Sequence, residues 1–271
     1  PMWVNNHLGA YGYLYQDVSW VLTLGWTTLM LSVVFLVDTF WGHLHAWKRF
    51  LGYIGLMGIF GFLAEVLVMN LGLRSYAVEV EQAISGAYLW NTPLDTLYYV
   101  PVFSALVLGL YMYWTLIIDN RAVVTVQAGW LRKFALSVIA VLLFELMIEP
   151  MVINANFPEW SYFFHDMRFI LTLGWVLLVW LAQFIVDALW PNFNLKEKFF
   201  LSVGVIGVLA LPLETYLIAA GYRIYEGTSA GNAFSGVLFP FIHTPMEVVV
   251  AIPMYFALVL GFIMAWEAML V

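Results

Sequence analysis

The chain has 271 residues, of which 64% are hydrophobic, 18% aromatic and only 10% charged. That composition excludes a soluble globular domain and fits a polytopic helical membrane protein. A net charge of −7 offers no basic surface to nucleic acid, and the absence of cysteine removes disulfides, thiolate metal sites and cysteine nucleophiles together.

In chain order, apolar runs centre on 18–40, 50–71, 93–118, 133–153, 166–190, 199–220 and 245–268. Each is near the roughly 20 residues that a spanning helix needs, so about seven transmembrane helices are predicted. The first is not a cleavable signal, because no basic segment precedes it and its apolar core runs too long. Lys48, Arg49, Arg121, Arg132, Lys133, Lys196 and Lys198 fall in the first, third and fifth loops, against Arg74, Arg168 and Arg223 on the other side. Basic residues are retained in cytoplasmic loops, which predicts an outside N-terminus and a cytoplasmic C-terminus. Gly52, Gly55, Gly58 and Gly61 recur every third residue in the second run, a spacing that lets helix backbones approach closely.

The runs are related to one another. Leu22-Thr23-Leu24-Gly25-Trp26 returns unchanged 149 residues later as Leu171-Thr172-Leu173-Gly174-Trp175. At the same spacing Asp17 meets Asp166, Asp38 meets Asp187, Glu65 meets Glu214, Gly72 meets Gly221, Arg74 meets Arg223 and Tyr76 meets Tyr225. With three more residues in the second copy, Thr92-Pro93-Leu94-Asp95 meets Thr244-Pro245-Met246-Glu247, and Ala105-Leu106-Val107-Leu108-Gly109 meets Ala257-Leu258-Val259-Leu260-Gly261. The predicted fold is all-α: two parallel three-helix repeats, 1–130 and 157–271, joined by a connecting transmembrane helix within 131–156, and related by an axis along the membrane normal. The polar stretches 72–91 and 221–239 read as loops or short interfacial helices.

Six acids lie within the apolar runs or at their mouths: Glu65, Asp95, Glu145, Glu149, Glu214 and Glu247. At a rise of about 1.5 Å per residue, Glu65 sits about 24 Å past Arg49 and Glu214 the same distance past Lys198. Asp95 and Glu247 open their helices from that same outer side, and Glu145 and Glu149 share one face of the connecting helix. An ionised carboxylate at mid-bilayer costs about 2.5–3.5 kcal/mol on insertion scales, and cations are few. Arg74 and Arg223 are nearest in depth, each nine residues after its glutamate. At least part of the cluster is therefore expected to be un-ionised and able to donate a proton. The bland alternative is that the acids only hydrogen-bond between helices. Asp17, Asp38, Asp166 and Asp187, near helix ends, suit capping and interface anchoring, and Thr92 and Thr244, each before a proline, suit N-caps.

Other chemistry is poorly provided for. His43 and His45 share a loop with Lys48 and make a weak metal pair, while His243, four residues before Glu247, suits tuning of that acid. No metal site and no cofactor is predicted, since no phosphate-cradling glycine loop or diphosphate motif occurs and every lysine lies in or beside a loop. Aromatic residues near the acid level, Phe62, Tyr98, Tyr99, Trp160 and Tyr216, can stabilise a carbocation through their ring faces; with Glu145, Glu149 and His243 they form the expected substrate lining.

Taken together, these features resemble the membrane-integral lycopene cyclases of bacteria and archaea and related transmembrane terpenoid cyclases. The resemblance is carried by Tyr11-Gly12-Tyr13-Leu14-Tyr15-Gln16-Asp17, by Phe60-Gly61-Phe62-Leu63-Ala64-Glu65 and Leu211-Pro212-Leu213-Glu214, and by Pro93-Leu94-Asp95-Thr96-Leu97-Tyr98-Tyr99 with Pro245-Met246-Glu247-Val248. Thr96 and Val248 replace the second acid of the family's Pro-x-Glu-Glu. The resemblance implies a multi-pass protein of a prokaryotic cell membrane that cyclises the end group of a carotenoid or other polyprenoid. The expected partners are that hydrophobic polyene or prenyl lipid, membrane lipids and possible further copies of the chain. In this reading Glu65, Asp95, Glu214 and Glu247 form the acid and base set of a redox-neutral isomerisation. A transporter of the SWEET or PQ-loop type, with Pro101 and Pro253 as hinges, and a non-catalytic pigment-binding subunit are the alternatives.

Overall fold

The computed structural model describes residues 3–15, 18–76, 81, 84–119, 129–149, 152–225, 237–240, 242 and 244–270. Asp17, Arg121, His243 and most of the polar stretch after Tyr225 lie outside the described residues. Among those described, seven long helices dominate: α1 (Trp20–Trp41), α2 (Ala46–Asn70), α3 (Thr96–Ile118), α4 (Trp130–Ile148), α5 (Phe169–Leu189), α6 (Leu195–Ala219) and α7 (Met246–Met269). Six of them are long and apolar enough to cross a membrane, which makes this a multi-pass membrane protein. The exception, α4, has 19 residues and carries Arg132, Lys133 and Glu145.

Short strands join the helices and correct the purely helical expectation. They are β1 (Trp3–Asn5), β2 (Tyr13–Tyr15), β3 (Val18–Ser19), β4 (Arg74–Tyr76), β5 (Tyr88–Leu89), β6 (Thr92–Pro93), β7 (Val152–Asn154), β8 (Tyr162–Phe164), β9 (Met167–Arg168) and β10 (Arg223–Tyr225). All pair antiparallel in twos: β1 with β4, β2 with β3, β5 with β6, β7 with β10 and β8 with β9. Their cause is local. A backbone leaving a helix at a membrane surface must still satisfy its N–H and C=O groups, and a neighbouring connection is the nearest partner. These pairings also explain why α1 and α5 start at Trp20 and Phe169 rather than at 18 and 166: the preceding residues are taken up in β3 and β9.

The chain divides into two compact units, 1–104 and 105–271, with the boundary inside α3. In the first unit α1 and α2 pack as a hairpin around Val33, Val37, Tyr53 and Met57. At its far end Asp38 accepts hydrogen bonds from Arg49 (2.7 Å) and from the Tyr53 hydroxyl (2.6 Å). In the second unit α4 packs on α5 and α7, and α6 packs on the same two helices. Ala140, Val141, Val179, Ala182, Ile206, Val259 and Leu260 fill the centre. At its far end Asp187 is held by Lys198 (2.9 Å) and Lys133. Asp38 and Asp187 thus tie the ends of neighbouring helices through bases instead of capping a helix.

Glycine spacing proves selective. A Cβ on Gly61 would meet Val100 Cγ1 at 2.4 Å, whereas Gly55 has nothing within 4 Å. Only the last glycine of the run of four sits in a tight crossing. The closest backbone approach in the second unit joins α3 to α7, where a Cβ on Gly109 would lie 2.8 Å from Phe262 Cα and one on Gly261 2.8 Å from Leu110 Cα. Backbone atoms cannot step aside, so Gly109→Val should destabilise the protein by about 1–3 kcal/mol, while Gly55→Ala should leave thermal melting in detergent unchanged or slightly raised.

Candidate functional site: two buried glutamate–arginine centres

Each centre begins with a helix that ends in glycine. At the end of α2, Gly72 (φ +68°) donates to the Met69 carbonyl at 3.0 Å and Leu73 to the Val68 carbonyl at 3.0 Å, the paired bonds of a Schellman stop. Gly221 (φ +72°) ends α6 alike, donating to Ile218 at 3.1 Å while Tyr222 donates to Leu217 at 2.9 Å. A left-handed residue turns the chain back along the helix it has just left. Two residues later comes the arginine, and it points back at the glutamate about two turns before the stop.

In the first unit Arg74 donates through Nη1 to Glu65 Oε2 at 2.8 Å and through Nε to Asn5 Oδ1 at 3.2 Å. Asn5 is placed there by its pairing with Arg74 across β1 and β4. The guanidinium lies 5.8 Å from the ring centre of Trp26, within cation–π range. Glu65 is 1% exposed, and its other oxygen, Oε1, has no hydrogen-bond partner.

In the second unit Glu214, 2% exposed, takes the Tyr225 hydroxyl on Oε1 and stands 3.5 Å from Arg223 Nε. Trp175 lies 5.7 Å from that guanidinium, in the role Trp26 has on Arg74. Burial pulls the Arg223 guanidinium down, but the adjoining Glu214 and Tyr225 outweigh it, and its pKa lies above the ordinary range. Burial, reinforced by Glu214, likewise pushes the Tyr225 phenol up, so it remains a donor. The duplicated Leu-Thr-Leu-Gly-Trp segment therefore supplies, through its last residue, one wall of each centre.

These pairs bring Arg74 and Arg223, expected only to be the nearest cations in depth, into direct contact with Glu65 and Glu214. For Glu65 and Glu214 a nine-residue separation counted along a straight helix puts the arginine out of reach; the glycine stop between them brings it into contact. Both glycines were visible in the sequence at the same place in each copy, and they were the signal that could have revealed the pairing.

A third cluster adjoins the second centre. Glu145 on α4 bonds to the Thr172 hydroxyl, and that hydroxyl also lies 3.0 Å from the Arg168 carbonyl. Four residues on, Glu149 meets His165 Nδ1 at 3.1 Å. Glu145, Glu149, Asn154, Asp166 and Arg223 line one small cavity together with Ile148, Val152 and Met167. Asp166 pairs with Arg168 at 3.1 Å; burial pushes its carboxyl above the ordinary range, with His165 partly offsetting that.

The remaining predicted residues are less concentrated. Asp95 immediately precedes α3, and its carboxylate accepts from Ser85 Oγ at 2.8 Å and from the Ser85 N–H. Thr92 lies in β6 with a buried hydroxyl lacking a partner, and Thr244 bonds Thr215 at 2.8 Å, so neither caps a helix. The helices start later than the prolines suggest, α3 at Thr96 and α7 at Met246 with Pro245 in the N-cap position, so both threonines lie before the cap. Glu247 is half-buried in the first turn of α7. Phe62 and Tyr99 are buried, and the Tyr98 and Tyr99 ring centres are 4.1 Å apart. Trp160 and Tyr216, at 73% and 61% exposed, face outward, away from the small cavity. Thr172, Trp26, Trp175 and Tyr225 are the contributors that the sequence reading did not single out. Among the described residues no cluster of metal-ligating side chains occurs.

Comparison of the chain with protein-family models, with curated proteins and with solved structures finds no match.

Removing one partner of a buried ion pair strands the other in a medium that cannot solvate it. Arg223→Met should therefore cost about 3–5 kcal/mol, and the Glu214→Leu/Arg223→Met double variant should recover most of that in denaturant unfolding of the micellar protein. Equal losses from the single and double variants would contradict the pairing account.

Proposed function

We propose that the chain is a duplicated three-helix membrane unit that cyclises the end group of a carotenoid or other polyprenoid by proton addition and proton loss. The duplication is supported by element spacing: β1, β2, β3, α1, α2 and β4 begin 149 residues before β7, β8, β9, α5, α6 and β10 respectively. In this reading α4 is the connecting span, and the basic loops place the N-terminus outside and the C-terminus in the cytoplasm.

The observation that carries the chemistry is the setting of Glu145, which is 7% exposed, accepts the Thr172 hydroxyl and has no base within ion-pair distance among the described residues. Ionising a carboxyl held out of water without a close counter-charge is costly, so Glu145 is suited to be the proton donor. Glu214, in contact with Arg223 in the same unit, is suited to the opposite tasks: balancing a carbocation and taking a proton from it. Separating two carboxyl roles by environment is a general way to run acid and base chemistry together.

In the proposed reaction Glu145 adds its proton to a terminal alkene, the resulting cation is attacked by a second double bond to close a ring, and a proton leaves the adjacent carbon to an ionised carboxylate. Electrons balance without oxidant or reductant. Within the second unit Glu247, in the first turn of α7, supplies further negative charge. The transporter alternative keeps one support, the prolines at 101 and 253 inside α3 and α7.

Expression in a polyene-accumulating bacterial host, with chromatography of the extracted pigments, tests the reading. Cyclic end groups should appear with the parental chain, and Glu145→Gln, which preserves the Thr172 contact, should lower their yield by about 10²–10⁴-fold. Cyclisation at the parental level in Glu145→Gln and Glu214→Gln alike would defeat the proposal, as would the absence of any ring product from the parental chain.

A further inference from the structure

A proton donor buried in a membrane bundle must be reprotonated after each turnover, and the second unit contains a route for that. His165 sits in the turn between β8 and β9 with its side chain 38% exposed, while its partner Glu149 is 3% exposed. Their contact of 3.1 Å joins an exposed group to a buried one. Glu149 and Glu145 are four residues apart at the end of α4, so they project from one helix face, and both line the small cavity. The same cavity is lined by Arg223 and by Asn154, whose Oδ1 is buried without a hydrogen bond. A buried water needs two to four polar partners, and here the Asn154 Oδ1 acceptor and two carboxyls converge.

The turn bearing the histidine is itself fixed. Arg168, 1% exposed, donates to the His165 carbonyl at 3.2 Å, to Asp166 Oδ1 at 3.1 Å and to the Asn154 carbonyl, and Asn154 Nδ2 donates to the Asp166 carbonyl at 2.8 Å. The imidazole also stacks on Phe164 at 4.3 Å between ring centres. The corresponding places in the first copy hold Gln16 for His165 and Ser19 for Arg168. A glutamine does not titrate, so the route belongs to the second unit alone.

We propose that His165, Glu149 and one water in the cavity form a proton relay that loads Glu145 from bulk water. The imidazolium gives its Nδ1 proton to Glu149 Oε1; Glu149 passes a proton to the water, and the water passes one to Glu145, which holds it against Thr172. The imidazole then recovers a proton from solution. Each transfer conserves protons and moves no electrons. The charged groups around the path are accounted for: Asp166 is paired with Arg168, and Arg223 faces the cavity while contacting Glu214. From α7, packed on α4, come Glu247 in the first turn and Glu267 in the last, and the opposite end of α4 carries Arg132 and Lys133. The relay rests on the reading of Glu145 as a proton-bearing acid, and it does not depend on which polyene is used or on whether one is bound.

Infrared spectroscopy of the full chain in lipid nanodiscs, without polyene, tests it. The parental protein should show a protonated-carboxyl stretch that shifts on transfer to D₂O and is absent from Glu145→Gln. In Glu149→Gln and, separately, in His165→Gln, at an exposed position that does not endanger folding, the band should persist at its parental frequency while its exchange with D₂O slows at least tenfold. A purely structural role for Glu149 and His165 would shift the band without slowing exchange. Persistence of the band in Glu145→Gln, or parental exchange rates in both relay variants, overturns the relay. Failure of the pigment assay with the infrared result intact would instead remove the cyclase and leave the relay standing.

Discussion

The buried glutamate–arginine contact is the constraint around which the rest is arranged. A carboxylate within a spanning helix cannot be left ionised in hydrocarbon without a counter-charge, and an arginine further along the same helix would project too far away to supply one. The solution is a helix that stops, turns back on a left-handed glycine and delivers its arginine to the acid about two turns earlier. Glu-x₆-Gly-x-Arg-x-Tyr, read at 65–76 and again at 214–225, is therefore a structural sentence. The glutamate is the charge, the glycine the reversal, the arginine the partner, and the tyrosine a hydroxyl directed at Thr96 in one case and at Glu214 in the other.

That reversal imposes the short strands. Once the chain has turned back, the backbone around Arg74 and Arg223 has no helix to bond to, and β1 and β7 provide the missing partners. The same strand brings Asn5 to the Arg74 guanidinium. The tryptophans at 26 and 175 complete the enclosure from the neighbouring helix, which gives a physical reason for the five-residue segment that recurs unchanged. Thr172 makes the second use of that segment, toward Glu145.

Much of this was legible in the sequence, and the exceptions have physical causes. Hydropathy located all seven helices, because twenty apolar residues in a row have few other homes. The acids stood out for the same reason. Two- and three-residue strands gave no alternation to detect, so β1 to β10 were read as loops or as helix beginnings. The contacts of Glu65 with Arg74 and of Glu214 with Arg223 were not foreseen because depth was measured along an unbroken helix past Gly72 and Gly221. The outward direction of Tyr216 and Trp160 was likewise hidden, since hydropathy gives depth in a membrane and says little about facing when every face is apolar.

Pairing also sorts the acids of the second unit. Glu214 has Arg223, Asp166 has Arg168 and Glu149 has His165, at 3.5, 3.1 and 3.1 Å. Among the described residues no cation lies within ion-pair distance of Glu145. Ionised, it would have to share the Arg223 guanidinium with Glu214, and the desolvation cost of a buried charge is several kcal/mol after relaxation. Charge balance in a poorly polarisable interior is therefore the physical argument for reading Glu145 as the proton-bearing acid of this cluster.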